Sequence, residues 1–289
     1  MENVIELHNV NKTFKEFQLK DFSINVKKGY VTGFIGGNGA GKSTTLKLIM
    51  NLMQQDSGRI SIFGMDYKKH EKEIKQRIGF VYDENIFYEN LNLKEMKKII
   101  QPAYRNWDEA AFQRYINQFE LPLNKKIKTF SKGMKMKASL AIALAHHAEL
   151  IIMDEPTSGL DPIFRRELLN TLHDLMQDGE KTIFFSTHIT TDLDRIADYI
   201  TFIQNGEHMF TKEFYKIEEE YAIVKGALDL LDRETEQEFI AIRKSNSGFE
   251  ALTAYKKRVE NLFGDTVILE KPTLEDIMFY SKKGGEMYV

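Results

Sequence analysis

The 289-residue chain reads as an α/β protein with an antiparallel β-subdomain at its start, an inserted α-helical subdomain and a small α/β extension at its end. Three features carry that reading. A glycine-rich turn over residues 36–44 follows the apolar run Val31–Ile35 and opens a helix-patterned stretch at 43–53. Two more apolar runs, 150–153 and 182–186, end in Asp154-Glu155 and Thr187-His188. Polar groups thus collect at the carboxyl ends of strands, where open α/β sheets bind ligands. Between about residues 84 and 149 the β pattern gives way to helical spacing.

In chain order, residues 4–7, 17–19 and 22–26 alternate as short β-rich pieces, the last closing at Lys27-Lys28-Gly29. They predict a small antiparallel sheet leading into the strand at 31–35. Phe14, between the first two pieces, either packs in the core or stacks on a purine, worth roughly 1–3 kcal/mol by analogy with base–aromatic stacking. The turn fits G-x-x-x-x-G-K-[ST] with a strand before and a helix after, the context of a phosphate-binding loop. Gly36, Gly37, Gly39 and Gly41 let the backbone bend closely around an anion, with Asn38 and Ala40 completing the cradle. The helix opening near Lys42 adds its positive end. Lys42 can reach β- and γ-phosphate oxygens, and the Ser43 hydroxyl can ligate the Mg2+ bridging them. A nucleoside triphosphate is the expected ligand.

After the loop helix, a turn at 56–59 leads to strands at 60–63 and 78–82, with Asp83 at the end of the second. The insert shows helices at 93–100 and 109–119, with Pro102 and Pro122 separating segments. Its aromatics, among them Tyr88, Tyr104, Trp107 and Phe112, fill its core or rim a groove for a partner's helix. Ser131 and Gly133 precede the helical run 138–145 and offer either a plain helix cap or a second anion site. Asp154 suits a Mg2+ shell, and Glu155 suits orienting or deprotonating an attacking water. Residues 158–162 turn the chain into a helix at 163–176. His188 ends a strand on the same sheet edge, which favours a γ-phosphate contact over a purely structural role. Past about Phe210 the reading is strands at 221–225 and 239–243, then Gly248-Phe249 leading into a helix to about Phe263. A strand at 266–269 follows, and a last helix to about Lys282 is capped by Thr273 with Asp276. Domains are expected at 1–210 and 211–289.

Composition narrows the classes. With 40 basic against 43 acidic residues, no global field points to nucleic acid or to an anionic membrane. No run approaches the ~18 consecutive apolar residues of a membrane span, and the acidic start lacks a signal-peptide core, so a cytoplasmic chain is expected. The absence of cysteine removes disulfides and thiolate metal sites.

The ordered set of phosphate loop, Ser131-Lys132-Gly133-Met134, Ile152-Met153-Asp154-Glu155-Pro156, Ser158-Gly159-Leu160-Asp161 and Ser186-Thr187-His188 resembles the ATP-binding cassette (ABC) ATPases over roughly residues 3–210. That resemblance implies a P-loop NTPase core. It implies ATP and Mg2+ held by Lys42, Ser43 and Thr44, metal support from Asp154, a catalytic base at Glu155, a switch histidine at His188 and an adenine-stacking aromatic at Phe14. Ser131 and Gly133 match the signature that contacts ATP on the opposite subunit. Two chains are therefore expected to pair head to tail, as a homodimer or with a related ATPase subunit.

Three positions depart from the family pattern: Gly37 for a frequent proline, Lys132 and Met134 within a usual Ser-Gly-Gly-Gln, and Asp83 for the glutamine that senses the γ-phosphate and the membrane partner. These changes resemble a Gram-positive group that includes YtrB-like transporters and antimicrobial-peptide exporters. The resemblance implies an ATPase subunit working through a separate transmembrane permease, held peripherally at the inner face of the cell membrane. It implies no nucleic-acid partner, and peptide export is the expected work. An Asp83 carboxylate beside a γ-phosphate would be repelled by about 4 kcal/mol at 4 Å, so it is expected either withdrawn or bridged through Mg2+. The alternative is a soluble ABC ATPase acting on ribosomes, nucleic acid or a regulatory partner. The single cassette and the lack of long coiled-coil pattern weigh against it.

Overall fold

The computed structural model describes residues 2–82, 87–177, 179–283 and 285–288. The chain divides into two compact units, Met1–Thr211 and Lys212–Val289.

The first unit opens with β1 (Asn3–Thr13) and β2 (Gln18–Lys27), which pair antiparallel. The expected pieces at 17–19 and 22–26 are one strand. Their alternation breaks because Asp21 (φ 43°) and Asn9 (φ 46°) take left-handed conformations across an irregular stretch of the ladder. Side chains bridge that stretch: Asn9 N donates to Ser23 Oγ at 2.8 Å and Asn11 Nδ2 to Asp21 Oδ1 at 3.0 Å. Next come β3 (Val31–Ile35), buried at every position, and α1 (Lys42–Ile49). β4 (Ser57–Ile62) and β5 (Met65–Asp66) complete a sheet of order β2-β1-β4-β5.

α2 (Tyr67–Arg77), capped by Asp66, has no counterpart in the sequence reading, since only Tyr67 and Ile74 are buried and no apolar period is visible. β6 (Ile78–Val81) leads to the helical region of α3 (Leu93–Ile100), α4 (Glu109–Gln118) and α5 (Lys132–Ala145). α5 begins at Lys132, ahead of the apolar run, because Ser131 caps it. Its far end lies on β6, where a Cβ on Gly79 would stand 2.5 Å from Ala143 Cβ.

The remaining elements are β7 (Leu150–Asp154), α6 (Pro162–Leu175), β8 (Thr182–Thr187), α7 (Leu193–Ile196), β9 (Tyr199–Gln204) and β10 (Glu207–Glu213). They complete a second sheet of order β10-β9-β3-β8-β7-β6. β3, β8 and β7 run parallel, with Ile35 opposite Thr187 and Asp154 opposite Ser186. Adjacent strands lie ~4.8 Å apart, so this register brings the residues that follow three strand ends together on one edge. The rings of Phe34 and Phe184 stack at 5.2 Å in the core beneath.

The second unit contains α8 (Phe214–Glu220), β11 (Ala222–Gly226), β12 (Ala241–Ser245), β13 (Gly248–Thr253), α9 (Lys256–Phe263), β14 (Ile268–Glu270), α10 (Leu274–Lys283) and β15 (Gly285–Tyr288). Its sheet has the order β14-β11-β13-β12-β15. Gly248 and Phe249 do not lead into a helix as expected. They open β13, bracketed by β11 and β12, and α9 starts only at Lys256. Pairing on both sides, with Phe249 and Ala251 in a core shared with Val259 and Phe263, overrides the helical propensity of Glu250, Ala251 and Leu252. Thr273 and Asp276 form the expected reciprocal cap: Thr273 N donates to Asp276 Oδ2 at 2.8 Å and Asp276 N to Thr273 Oγ1 at 3.0 Å.

Candidate nucleotide site

The turn between β3 and α1 is a cradle whose glycines have separate reasons. Gly39 (φ 77°) and Gly41 (φ 112°) hold left-handed backbone, which side chains with a β-carbon resist. Gly37 and Gly39 face open space where a Cβ would lie, so the backbone there can meet a ligand directly. Gly36 is needed for packing, since a Cβ on it would lie 2.5 Å from the Ile203 carbonyl oxygen. Gly41 caps α1 without a side chain, so the first-turn N–H groups and the positive helix end point toward the cradle. Ser43 is exposed and Thr44 half-buried at its floor, while Thr45 Oγ1 donates back to Gly41 O at 2.9 Å. Lys42 is buried at 6 % exposure and folds over the loop, donating to Gly36 O at 2.7 Å.

The acidic edge closes one side. Asp154 Oδ1 accepts from Ser186 Oγ at 2.6 Å. Burial, aided by the Asp154 charge, raises the Tyr82 phenol above its ordinary pKa. Glu155 adopts φ 47° and donates its N–H to Ser186 O at 3.0 Å. This turn aims its side chain across the sheet edge, where Oε1 lies 3.4 Å from Lys42 Nζ. Oε2 accepts from His188 N at 3.1 Å and lies 2.7 Å from His188 Nδ1. A carboxylate only accepts, so Nδ1 carries a proton and Nε2 is turned to other partners. Glu155 is 14 % exposed and His188 44 % exposed, which places a shielded carboxylate behind an accessible imidazole.

Between these walls lies a cleft of about 550 Å³, lined by residues 37–44, Phe14, Phe17, Glu155, Ser158 and His188. Phe14 is 39 % exposed and thus presents a ring at the cleft instead of packing in the core. Phe17, which the sequence reading did not single out as a site residue, stands 6.2 Å from it and fills the space a Gly41 side chain would need. Its spacing of three from Phe14 was the available signal. Ser158 likewise joins the lining.

Other expected residues lie apart from the cleft lining. Gly36 and Asp154 are not among the residues that line the cleft. Ser131 accepts from Met134 N at 3.2 Å as the α5 cap, and Gly133 lies against the Phe164 ring, where a Cβ would be 2.6 Å from Cε1. Asp83 lies outside the described residues. Among the described residues no group of three His, Cys, Asp or Glu side chains could hold a metal. Ser43 and Asp154 offer hard oxygen donors, which fits Mg2+, an ion bound through one or two protein oxygens with substrate phosphates and water supplying the rest.

A parallel sheet with a glycine cradle, a buried lysine and a carboxylate at its carboxyl edge defines a nucleoside-triphosphate-binding protein of the P-loop class. The family described as ABC transporter matches residues 19–158. Among curated relatives, the bacitracin transport ATP-binding protein BcrA of Bacillus licheniformis is 37 % identical over 72 % of this chain and 69 % of its own. The lantibiotic transport ATP-binding protein SrtF of Streptococcus pyogenes is 33 % identical over 73 % of this chain and 91 % of its own. A solved ATP-binding subunit of an ABC transporter superposes with a TM-score of 0.68 at 30 % identity, over 75 % of this chain and 92 % of its own. The chain belongs to the ABC transporter family, as an ATP-binding and ATP-hydrolysing subunit. No helix among the described residues is long and apolar enough to cross a membrane.

Proposed function

We propose that this subunit powers export of amphipathic or antimicrobial peptides through a separate transmembrane permease, working as a head-to-tail dimer at the inner face of the membrane. The observation that carries the catalytic part is the Glu155 carboxylate, held between Lys42 and His188 at the mouth of the cleft. Phe14 stacks on the adenine, and N–H groups of the loop and of the first turn of α1 cradle the phosphates; Ala40 N is already spent on Gly37 O at 3.1 Å. Ser43 and Asp154 would hold Mg2+, which would supply neutralisation of charge on the phosphate oxygens. Lys42 leaves Gly36 O and Glu155 Oε1 for phosphate oxygens, a stronger charge-assisted partner. Glu155, freed of Lys42, accepts the proton of the attacking water, and His188 donates a ring N–H to a γ-phosphate oxygen.

Ser131 and Gly133 lie away from this chain's own cleft, which supports their service to ATP held by a second copy. The unit Lys212–Val289 is an accessory domain. Peptide cargo is supported by BcrA and SrtF, whose names state bacitracin and lantibiotic transport.

Two measurements test the reading. Glu155→Gln should retain ATP binding while hydrolysis falls about 10²–10⁴-fold; turnover at the wild-type rate would remove Glu155 as the base. Cells lacking the gene should accumulate the peptide internally or become sensitive to added peptide. Unchanged levels and unchanged sensitivity would refute the cargo.

A further inference from the structure

His188 lies at the start of a segment that lacks a long helix to steady it: β8 ends at Thr187, a short turn covers residues 190–192, and α7 runs only from Leu193 to Ile196. Leu193 anchors its far end, fully buried against Gly33 of β3, and nearer His188 polar contacts hold the chain. Ile189 N donates to Thr187 Oγ1 at 2.9 Å, and Asp192 is buried at 2 % exposure. A buried carboxylate needs a cation, and Arg165 supplies it from α6, the helix that follows the Glu155 loop. Arg165 Nε donates to Asp192 Oδ1 at 2.5 Å, and Nη2 donates to Thr191 Oγ1 at 3.0 Å.

The second bond is the informative one. A guanidinium serving only to neutralise Asp192 would take both carboxylate oxygens in the fork geometry that suits it. Here Asp192 Oδ2 is buried without a hydrogen-bond partner, while the fork spans two consecutive side chains. The arrangement leaves one oxygen unsatisfied and gains a grip on the orientation of the turn that carries His188. α6 is itself fixed at its start, where Asp161 accepts from Ile163 N and Phe164 N and Arg165 N donates to Asp161 O at 2.9 Å. Glu155 and His188 thus sit on two segments tied twice, at the cleft through their own contact and behind it through Arg165.

We propose that Arg165 is the positioning residue that holds His188 opposite Glu155 and the γ-phosphate, with Asp192 and Thr191 as its two handles. The inference rests on His188 acting at the γ-phosphate, as proposed above. Its effect should fall on the chemical step rather than on ATP capture, because Arg165 does not line the nucleotide cleft.

Mg-ATP hydrolysis by the full chain tests this, with a fluorescent ATP analogue reporting binding separately. Arg165→Lys keeps a cation for Asp192 but cannot also reach Thr191. Arg165→Gln/Asp192→Asn removes both charges together and so leaves no buried carboxylate unpaired. Each should lower kcat about 10- to 10²-fold, the cost of a small misplacement of a reacting group, with KM and analogue affinity within about twofold. In a His188→Ala background the same changes should alter the residual rate by less than about twofold, since residues acting through one group do not add. Wild-type kcat in both variants, or an undiminished further loss in the His188→Ala background, overturns the assignment. His188→Ala with a wild-type kcat would instead overturn the role of His188, and this inference with it.

Discussion

Lys42 and Glu155 have sharply different expected signatures although they sit 3.4 Å apart. Lys42→Ala should weaken nucleotide binding itself, whereas Glu155→Gln should leave binding and remove turnover; equilibrium titration beside a hydrolysis assay separates them. Phe14→Ala should weaken ATP by about 1–3 kcal/mol, the range of base–aromatic stacking, and GTP should lose a similar amount because stacking needs only a π-face. An unchanged affinity for both would take Phe14 out of the site. A different residue contributes to acid sensitivity. His146 is buried and stacked on Tyr104 at 3.8 Å, and burial lowers its pKa from 6.5 to about 4. Between those values the unfolded chain binds the proton that the folded chain refuses, so stability is unaffected above pH 6.5 and falls as pH drops toward 4. At pH 5 the loss is about 2 kcal/mol. Urea unfolding at neutral pH and at pH 5 checks this against His146→Phe, which keeps a ring for Tyr104 and should lack that component of acid sensitivity. Equal losses in both proteins would contradict it.

At the level of elements, the phosphate loop makes a prediction that separates a packed glycine from an open one. Gly36→Ala drives a Cβ onto the Ile203 carbonyl and should cost about 1–3 kcal/mol in stability. Gly37→Ala enters open space, at a position where the family frequently carries proline, and should leave the melting temperature and ATP affinity near wild type. Identical behaviour of the two would show that the loop is not shaped as described. The loop, β7 and β8 were legible because each couples an apolar run to a chemically distinctive end. β13 was not, because Glu250-Ala251-Leu252 favours a helix locally and only pairing with β11 and β12 makes it a strand. α2 was hidden for the opposite reason, having too few buried side chains to mark a face. Phe17 and the Arg165–Asp192 pair depend on contacts between residues far apart in sequence, which no local pattern records.

For the molecule as a whole, the sequence carried the family and the chemistry of one sheet edge, while the conformation of that edge needed coordinates. On the proposed reading, Glu155 engaged by Lys42 and His188 is a base already occupied, and Ser131 and Gly133, which do not line this chain's own cleft, leave each site to be finished by a second copy. Slow basal hydrolysis is therefore expected of the isolated subunit, with stimulation on pairing and on contact with the permease. Light scattering of Glu155→Gln with Mg-ATP tests this account most directly. Completion of each site by a second copy predicts that the ATP-loaded variant accumulates at twice the monomer mass and returns to monomer when ATP is withdrawn. A variant that binds ATP and stays monomeric at every protein concentration, or that hydrolyses ATP as fast as the wild type, would contradict it.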